Sequence, residues 1–527
     1  MGPRGPDGSI RSEFDRAAGV QTDGIAMPRL FTALLLLALP TFDGTAAVAP
    51  SDETTEVDRW YAALVDGKPV GWMRSRLVRR GSKLETTNVQ KMSVRRGALT
   101  IDIEIEETFL ETADGVPLMS RSVQNFAGQK ISRTMHFADD VIIFTTRQRD
   151  HTRTEQFPIT DREWLPPAAA ERYARSQLAR GAKTIRFRTI TALVGRKPVM
   201  SNHEYVSTEP IELFGRTVTA QRWKVVTSIA STVPMTTWID DEWNMLKTTM
   251  SLGGLIEVSF VAADEKLAKR SIEPPELVAR TLLVPDRLIA APRKVRSATY
   301  MVSVTNDTAE ARGALARLPD AGYQRVHRDG ASSRSVRITV DLDRDLASGA
   351  PPRPACLRPS TMINSDHPAV IALARKALGD TPDDAPDRVR ARALCRFAHG
   401  FMKQRDLSVG FASASEVAET AQGDCTEFGV LLAAMLRVTR IPSRTVSGLV
   451  YTESFLGQSH VFGYHMWTQA WIDGRWMDFD AALNPTEFDA THITMSTSAW
   501  SDDDTVEGML EVIPLFGQLS IRVQTPR

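Results

Sequence analysis

The stretch GDCTEFGVLLAAMLRVTRIPSR, residues 423–444, is the most informative part of the chain. Asp424 can cap the N-terminus of a helix that has Glu427 at its third position, which places Cys425 at the first helical position. The apolar residues that follow recur at helical spacing, and Pro442 ends the helix. The helix dipole and the unpaired N–H groups of a first turn favour a thiolate and can hold an oxyanion. The segment therefore predicts a thiol nucleophile, with an inert buried cysteine as the alternative.

A second segment, YHMWTQAWIDGRWMDFD at residues 464–480, predicts a β-hairpin. Asp473-Gly474 is a strong signal for a two-residue turn, and the residues that flank it, Ile472 and Arg475, then pair with each other. This pairing sets the register of both strands, because side chains alternate strictly between the two faces of a sheet.

In that register Gln469 opposes Asp478, and His465 shares one sheet face with both Asp478 and Asp480. Asp480 is diagonal to His465 and within side-chain reach, whereas Asp478 lies one pair further away. We therefore expect Asp480 to be the partner of His465. With Cys425, these residues have the nucleophile, base and orienting group that covalent acyl transfer requires.

At these residues the sequence resembles the transglutaminase-like superfamily of papain-type thiol enzymes, in its bacterial exported form. The resemblance covers about residues 355 to 490, roughly a quarter of the chain, and it implies a papain-like α+β fold. It implies Cys425, His465 and Asp480 as the catalytic triad, with Ala481 in place of the proline that usually follows the aspartate. The matching motifs are Gly423-Asp424-Cys425-Thr426-Glu427, Ile441-Pro442-Ser443-Arg444, Gly463-Tyr464-His465 and Trp476 to Asp480.

Upstream, residues 60–261 have the period-two alternation of antiparallel strands. Ile101, Ile103 and Ile105 alternate with acidic residues, and Asp66-Gly67 predicts a hairpin near the start. One short helix is expected at residues 166–178. We expect a large curved sheet or open barrel whose concave face could hold a ligand; the alternative is an inward face that is simply core.

The whole pattern predicts a multidomain α+β protein. Two strand-like runs around an Ala-rich helical piece suggest a small β-rich domain in the middle of the chain, and helices follow it. The expected divisions are residues 1–49 (upstream extension and signal peptide), 50–270 (antiparallel β-rich domain), 271–354 (β-rich connecting domain), 355–490 (transglutaminase-like domain) and 491–527 (C-terminal tail packing on that domain).

The apolar run LFTALLLLALP at residues 30–40 is too short to span a bilayer and has the features of a signal-peptide core. Arg29 precedes it and small residues follow, so we expect export to the periplasm or outside the cell and cleavage between about Ala46 and Ser51. Met27 stands where such a peptide would begin. The alternative is a buried N-terminal helix.

Lys plus Arg and Asp plus Glu both total 64 in the 527 residues, which argues against a nucleic-acid partner. No Cys and His residues have metal-ligand spacing, and we expect neither a metal nor a cofactor. Three cysteines leave at least one thiol unpaired. Since Cys425 cannot be locked in a disulfide and still attack, any internal bridge would join Cys356 to Cys395.

The sequence therefore predicts an exported thiol enzyme that acts on peptide or side-chain amides through Cys425, His465 and Asp480. Its partner would be a protein or peptide substrate, and hydrolysis is favoured over cross-linking. The alternative is a non-catalytic binding or scaffold protein whose β-rich domain holds a lipid or peptide. The sequence leaves the oligomeric state open.

Overall fold

A computed structural model describes residues 53–96, 99–149, 151–330, 333–344, 349–405, 409–410, 412–502 and 512–526. The apolar run at residues 30–40 and the expected cleavage site lie outside these residues. Within the described ranges, none of the helices combines the length and the hydropathy that a bilayer crossing requires.

The N-terminal region forms one antiparallel sheet of fourteen strands, as the period-two alternation predicts. The first eight strands run consecutively to one edge, the next six run to the other edge, and the two halves join where strand β1 pairs with strand β14. The fourteen strands are β1 (Glu53–Val65), β2 (Lys68–Arg80), β3 (Lys83–Arg96), β4 (Leu99–Thr112), β5 (Pro117–Phe126), β6 (Gln129–Phe137), β7 (Val141–Gln148), β8 (His151–Pro158), β9 (Thr184–Thr189), β10 (Val199–Leu213), β11 (Arg216–Thr227), β12 (Met235–Ile239), β13 (Met245–Leu252) and β14 (Ile256–Ala263).

The alternation of side chains along β4 determines which face of this sheet is buried. Ile103, Ile105 and Phe109 are buried, whereas Asp102 and Glu106 on the opposite face are exposed. The turn between β1 and β2 places both Asp66 and Gly67 at positive φ, the conformation that a tight two-residue hairpin needs.

The two edge strands of the large sheet, β8 and β9, do not pair with each other in the described structure, so the sheet is open. Helix α1 (Pro167–Ala179) connects these strands, close to the predicted bounds, and a single-turn helix α2 (Glu265–Ala268) follows β14. Proline at the first position of α1 suits a helix start, because its missing N–H would have no helical partner there.

A second sheet has four strands and joins distant parts of the chain. It contains β15 (Ser297–Val304), β16 (Gln324–Arg328), β17 (Ser335–Asp341) and β22 (Leu519–Pro526), in the order β16-β17-β15-β22. Helix α3 (Ala309–Ala316) lies between β15 and β16 in the chain. The C-terminal strand β22 therefore pairs with the connecting region at β15.

The third region has the α+β fold that the resemblance implies. Four helices precede a four-stranded antiparallel sheet of order β20-β19-β18-β21. Helix α7 packs on this sheet, and thirteen of its residues from Cys425 to Arg437 are buried. The elements are α4 (Pro368–Leu378), α5 (Asp387–Phe401), α6 (Ala414–Thr420), α7 (Cys425–Val438), β18 (Ser443–Phe455), β19 (Gln458–Ile472), β20 (Arg475–Phe479) and β21 (His492–Ser498).

Candidate active site

The N-terminus of α7 has the capping arrangement that the sequence predicts, with Cys425 as the first helical residue. The Asp424 side chain accepts a hydrogen bond from the Thr426 N–H at 2.9 Å, and the Asp424 N–H donates to Glu427 Oε2 at 3.0 Å. Gly423 precedes the cap at φ +145°, where a Cβ atom would lie 2.3 Å from the Glu427 Cβ. Only glycine fits there, and the close turn holds the cysteine at the helix start.

The register of the β19–β20 hairpin is also the predicted one. Ile472 pairs with Arg475, and Gln469 pairs with Asp478. Asp473 and Gly474 form the turn with φ values of 52° and 78°. The turn therefore places the polar residues of both strands at the expected heights along the sheet.

The carboxylate that contacts His465 is Asp480, as the register argument predicts. His465 Nε2 lies 2.8 Å from Asp480 Oδ2, and both side chains are buried. Asp478 instead accepts hydrogen bonds of 2.7 Å from both the Trp467 indole and the Gln469 amide. The two neighbouring carboxylates thus have different partners.

Cys425 lies beside the strand that carries His465. The N–H of Met466, the residue after His465, donates to Cys425 Sγ at 3.4 Å. The other ring nitrogen of His465, Nδ1, is buried and has no hydrogen-bond partner among the described residues. The structure therefore brings Cys425, His465 and Asp480 together and leaves one histidine nitrogen available for proton transfer.

A second histidine, His492 on β21, belongs to the same cluster and was not predicted from the sequence. His492 Nε2 lies 3.0 Å from Asp480 Oδ2, and its Nδ1 lies 3.2 Å from Asp489 Oδ1. The ligand atoms of His465, Asp480 and His492 lie within 4.8 Å of one another, a spacing that a metal ion could also use. Because one carboxylate oxygen is within hydrogen-bonding distance of both rings, hydrogen bonds alone account for this group.

The environment of His492 gives it a positive charge at neutral pH. Burial opposes the charge, but the carboxylates of Asp489 and Asp480 raise the pKa of His492 to about 9. Burial likewise opposes ionisation of Asp480, yet His465 and His492 hold the pKa of this carboxyl well below its usual range. Asp480 is therefore a buried carboxylate held between two imidazole rings.

The thiol of Cys425 does not have the lowered pKa that its place at a helix start predicts. Burial, followed by the nearby Asp424 carboxylate, raises the pKa of the Cys425 thiol well above its usual value. Loss of water outweighs the favourable helix terminus because the residue has no exposed surface at all. The resting thiol is therefore protonated in this arrangement.

Residues from outside the region of α4–α7 and β18–β21 make three contacts with residues in or near the site. The guanidinium of Arg96, at the end of β3, forms a buried ion pair with Asp424 beside the thiol. Gln148, at the end of β7, bonds to Glu416 of α6. The Phe516 ring packs on Tyr464, the residue before His465, with the ring centroids 4.3 Å apart. The large sheet and the segment before β22 thus enclose the candidate site.

Two other cysteines and two other histidines of the chain are not hydrogen-bonded to His465, Asp480 or His492 in the described structure. Cys356 and Cys395 are both buried, and all three thiols are free, so the structure contains no Cys356–Cys395 bridge. His399 Nδ1 lies 2.8 Å from the Ala481 carbonyl oxygen, and His460 Nδ1 lies 3.0 Å from the Tyr451 hydroxyl. Asp502 accepts a hydrogen bond from the Thr361 N–H, and the next two residues, 503 and 504, lie outside the described ranges.

The shifted pKa of His492 predicts a pH dependence of stability. Because this pKa is raised from 6.5 to about 9 on folding, the His492 contribution is fully present below pH 6.5 and is lost as the pH rises through about 9. We expect His492→Gln to lower the free energy of unfolding by roughly 3 kcal/mol near pH 6, with a smaller deficit at pH 9.5. Urea unfolding of both proteins between these pH values measures the difference, and a deficit that stayed constant with pH would contradict it.

The transglutaminase-like superfamily model matches residues 371–481, which include Cys425, His465 and Asp480. No curated protein matches the chain significantly. Among solved structures, a candidate cysteine protease from Cytophaga hutchinsonii is 16% identical, covers 44% of this chain and 84% of its own, and has a TM-score of 0.26. The periplasmic domain of TgpA from Pseudomonas aeruginosa is 14% identical, with 38% and 92% of the two chains covered and a TM-score of 0.23.

A third similar structure is a β-barrel-like protein of a domain of unknown function from Brucella abortus. It is 9% identical, covers 40% of this chain and 98% of its own, and has a TM-score of 0.29. At these identities and TM-scores, the three structures support no statement about activity.

Proposed function

Since residues 371–481 are a transglutaminase-like domain, we propose that the chain is a thiol-dependent acyl-transfer enzyme with Cys425 as nucleophile, His465 as base and Asp480 as orienting carboxylate. The observation that carries the proposal is the bond of His465 Nε2 to Asp480, which leaves Nδ1 without a partner on the strand that contacts the thiol. This is the arrangement of a general base whose tautomer is fixed by a carboxylate.

The chemistry proceeds through an acyl-thioester. Cys425 Sγ attacks an amide carbonyl while His465 Nδ1 accepts the thiol proton, and the tetrahedral adduct collapses as the leaving amine takes that proton. Water or a second amine then attacks the thioester and regenerates the thiol. The imidazolium formed in the first step is stabilised by Asp480, which is already ionised in the resting structure.

Substrate access requires the contacts that enclose the site to separate. Cys425 has no exposed surface, and Arg96 and Phe516 lie on the residues next to Cys425 and His465. Separation would rehydrate the thiol and lower the desolvation cost of the thiolate. We propose peptide or side-chain amides as substrates and water as the main acceptor, as the resemblance to bacterial exported relatives implies.

Incubation of the purified protein with peptides, glutamine-containing proteins and cell-wall peptide fragments tests this function. Hydrolysis would appear as new carboxyl termini or released ammonia, and transamidation as incorporation of a fluorescent primary amine. We expect hydrolysis products that are absent with Cys425→Ala. Amine incorporation without hydrolysis would overturn the choice of acceptor, and activity that survives Cys425→Ala would overturn the thiol mechanism.

The carboxylate assignment predicts a difference between two neighbouring variants. Asp480→Asn should lower kcat by about 10²- to 10⁴-fold, because the imidazolium loses the charge that stabilises it. Asp478→Asn is the matched control: its partners are Trp467, Gln469 and the Tyr323 N–H, so we expect a loss of stability with kcat of the folded fraction nearly unchanged. A larger loss of kcat in Asp478→Asn would contradict the assignment.

We also propose that the protein is exported and that residues preceding about Ala46 to Ser51 are removed. Expression of the full chain in a bacterial host, followed by fractionation and N-terminal sequencing, tests this. We expect a mature N-terminus within that interval in the extracytoplasmic fraction. An uncleaved chain confined to the cytoplasm would contradict the proposal.

A further inference from the structure

The large sheet encloses a cavity of about 130 Å³ on its concave face. Strands β3 and β4 form one wall, β9 to β13 form the opposite wall, and α1 borders the cavity with Ala170 and Glu171. The inward face of the sheet is therefore only partly filled by its own side chains. A dry protein cavity of similar volume, about 150 Å³, is known to admit benzene.

The walls of this cavity are mostly aromatic and aliphatic. Its lining includes Phe109, Phe187, Trp223, Val225, Ile239 and Trp243. Trp223 and Trp243 meet edge to face with ring centroids 5.4 Å apart, and both are almost completely buried. Such walls favour an apolar occupant.

Three polar groups in the lining, the Thr86 and Thr227 hydroxyls and the Trp223 indole N–H, have no hydrogen-bond partner among the described residues. Of these residues, Thr86 and Trp223 are only 2% and 1% exposed. They lie on opposite walls, since Thr86 is on β3 and Trp223 on β11. Buried donors in native proteins are almost always paired, so these two indicate an occupant that accepts hydrogen bonds.

The titratable groups of the lining favour an uncharged occupant. Burial raises the pKa of Glu107 to about 8 and lowers the pKa of His203 to about 4, so both are neutral at pH 7. Glu171 is bound by Arg175 at 2.8 Å. No lysine or arginine is among the described residues that line the cavity, so an anion would be buried there without a counter-charge.

We propose that this cavity binds a small uncharged molecule with an aromatic or short acyl body and a carbonyl group that accepts a hydrogen bond from Trp223 or Thr86. The site is formed by the large sheet, α1 and the loops between the strands, and the proposal does not depend on the thiol chemistry. It assigns the N-terminal region a ligand-binding role of its own.

Calorimetric titration with three probes of similar size tests the proposal. Acetophenone carries the acceptor, ethylbenzene lacks it, and benzoate replaces it with a negative charge. We expect acetophenone to bind about tenfold more tightly than ethylbenzene, and benzoate not to bind at pH 7. Cys425→Ala should bind acetophenone as the wild type does, because the candidate active site is elsewhere.

Two variants locate the hydrogen bond. Trp223→Phe keeps an aromatic ring and removes the N–H, and Thr86→Val keeps the shape and removes the hydroxyl; at least one should weaken acetophenone binding about tenfold. Trp238→Phe is the matched control, since the Trp238 indole donates to Glu209 at 2.9 Å outside the cavity. Circular dichroism and thermal melts establish that each variant is folded.

The proposal is overturned if the wild type binds neither acetophenone nor ethylbenzene. It is also overturned if benzoate binds as well as acetophenone at pH 7, or if neither Trp223→Phe nor Thr86→Val changes the acetophenone affinity.

Discussion

Replacing Cys425 by alanine is expected to abolish the proposed activity, with a loss on the order of 10⁴-fold or more in kcat. The reason is that Cys425 is the cysteine whose sulfur contacts the strand of His465, through the Met466 N–H, whereas Cys356 lies in a separate cluster of buried side chains. The fold should survive. Alanine is a good helix former, and loss of one sulfur atom costs about 1 kcal/mol.

Cys395→Ala is the matched control for this variant. Cys395 is also a buried helical cysteine, and burial raises the pKa of its thiol far above its usual value. We expect Cys395→Ala to keep the wild-type kcat. A loss of kcat in Cys425→Ala alone would then reflect loss of the nucleophile and not a general effect of removing a buried thiol. Turnover by Cys425→Ala at the wild-type rate would refute the thiol mechanism.

The second large effect is expected for His465→Ala, with a loss of kcat on the order of 10³- to 10⁴-fold. The ring of His465 is the only one that both contacts Asp480 and has a nitrogen without a partner in the described structure. His492 cannot take over, because its two nitrogens are held by Asp480 and Asp489. Initial rates with the best substrate from the screen, together with a pH profile, measure this loss.

His460→Asn is the matched control, because His460 lies on the same strand, β19, as His465. His460 is at φ +58° and lies 3.0 Å from the Tyr451 hydroxyl, and asparagine tolerates that backbone conformation and can keep the hydrogen bond. We expect its kcat to equal that of the wild type. If His465→Ala retained activity within about tenfold of the wild type, another base would have to be sought.

Features set by neighbouring residues could be predicted from the sequence. The capping box around Cys425 depends on four consecutive residues, and the hairpin register depends on the Asp473-Gly474 turn. The hairpin signal alone was enough to predict that His465 contacts Asp480 and not Asp478.

Features set by distant residues could not be predicted. His492 reaches Asp480 because β21 pairs with β18, whose next neighbour is β19, and no short motif marks that pairing. The pKa of the Cys425 thiol was wrongly predicted for the same reason. The thiol is buried because its helix α7 packs on strands β18 and β19, and the local motif around Cys425 does not show how closely these elements cover it.

The alternation of polar and apolar residues predicted the strands of the large sheet but not their order. Pairing of β1 with β14 joins the two halves, and the turn signals between consecutive strands contain no information about it. The cavity depends on that order, since its walls come from both halves. A ligand site and a filled core therefore could not be distinguished from the sequence alone.

The pairing of β22 with β15 bears on the order in which the protein folds. The two strands lie on either side of the whole transglutaminase-like region in the chain, so their sheet cannot be completed before the last residues are available. Contacts between such distant segments form slowly, because closing the intervening loop costs entropy before any contact is made. The segment that carries Phe516 onto Tyr464 leads directly into β22. In a chain that emerges N-terminus first, the residues of the thiol cluster are therefore available before the final strand that follows Phe516.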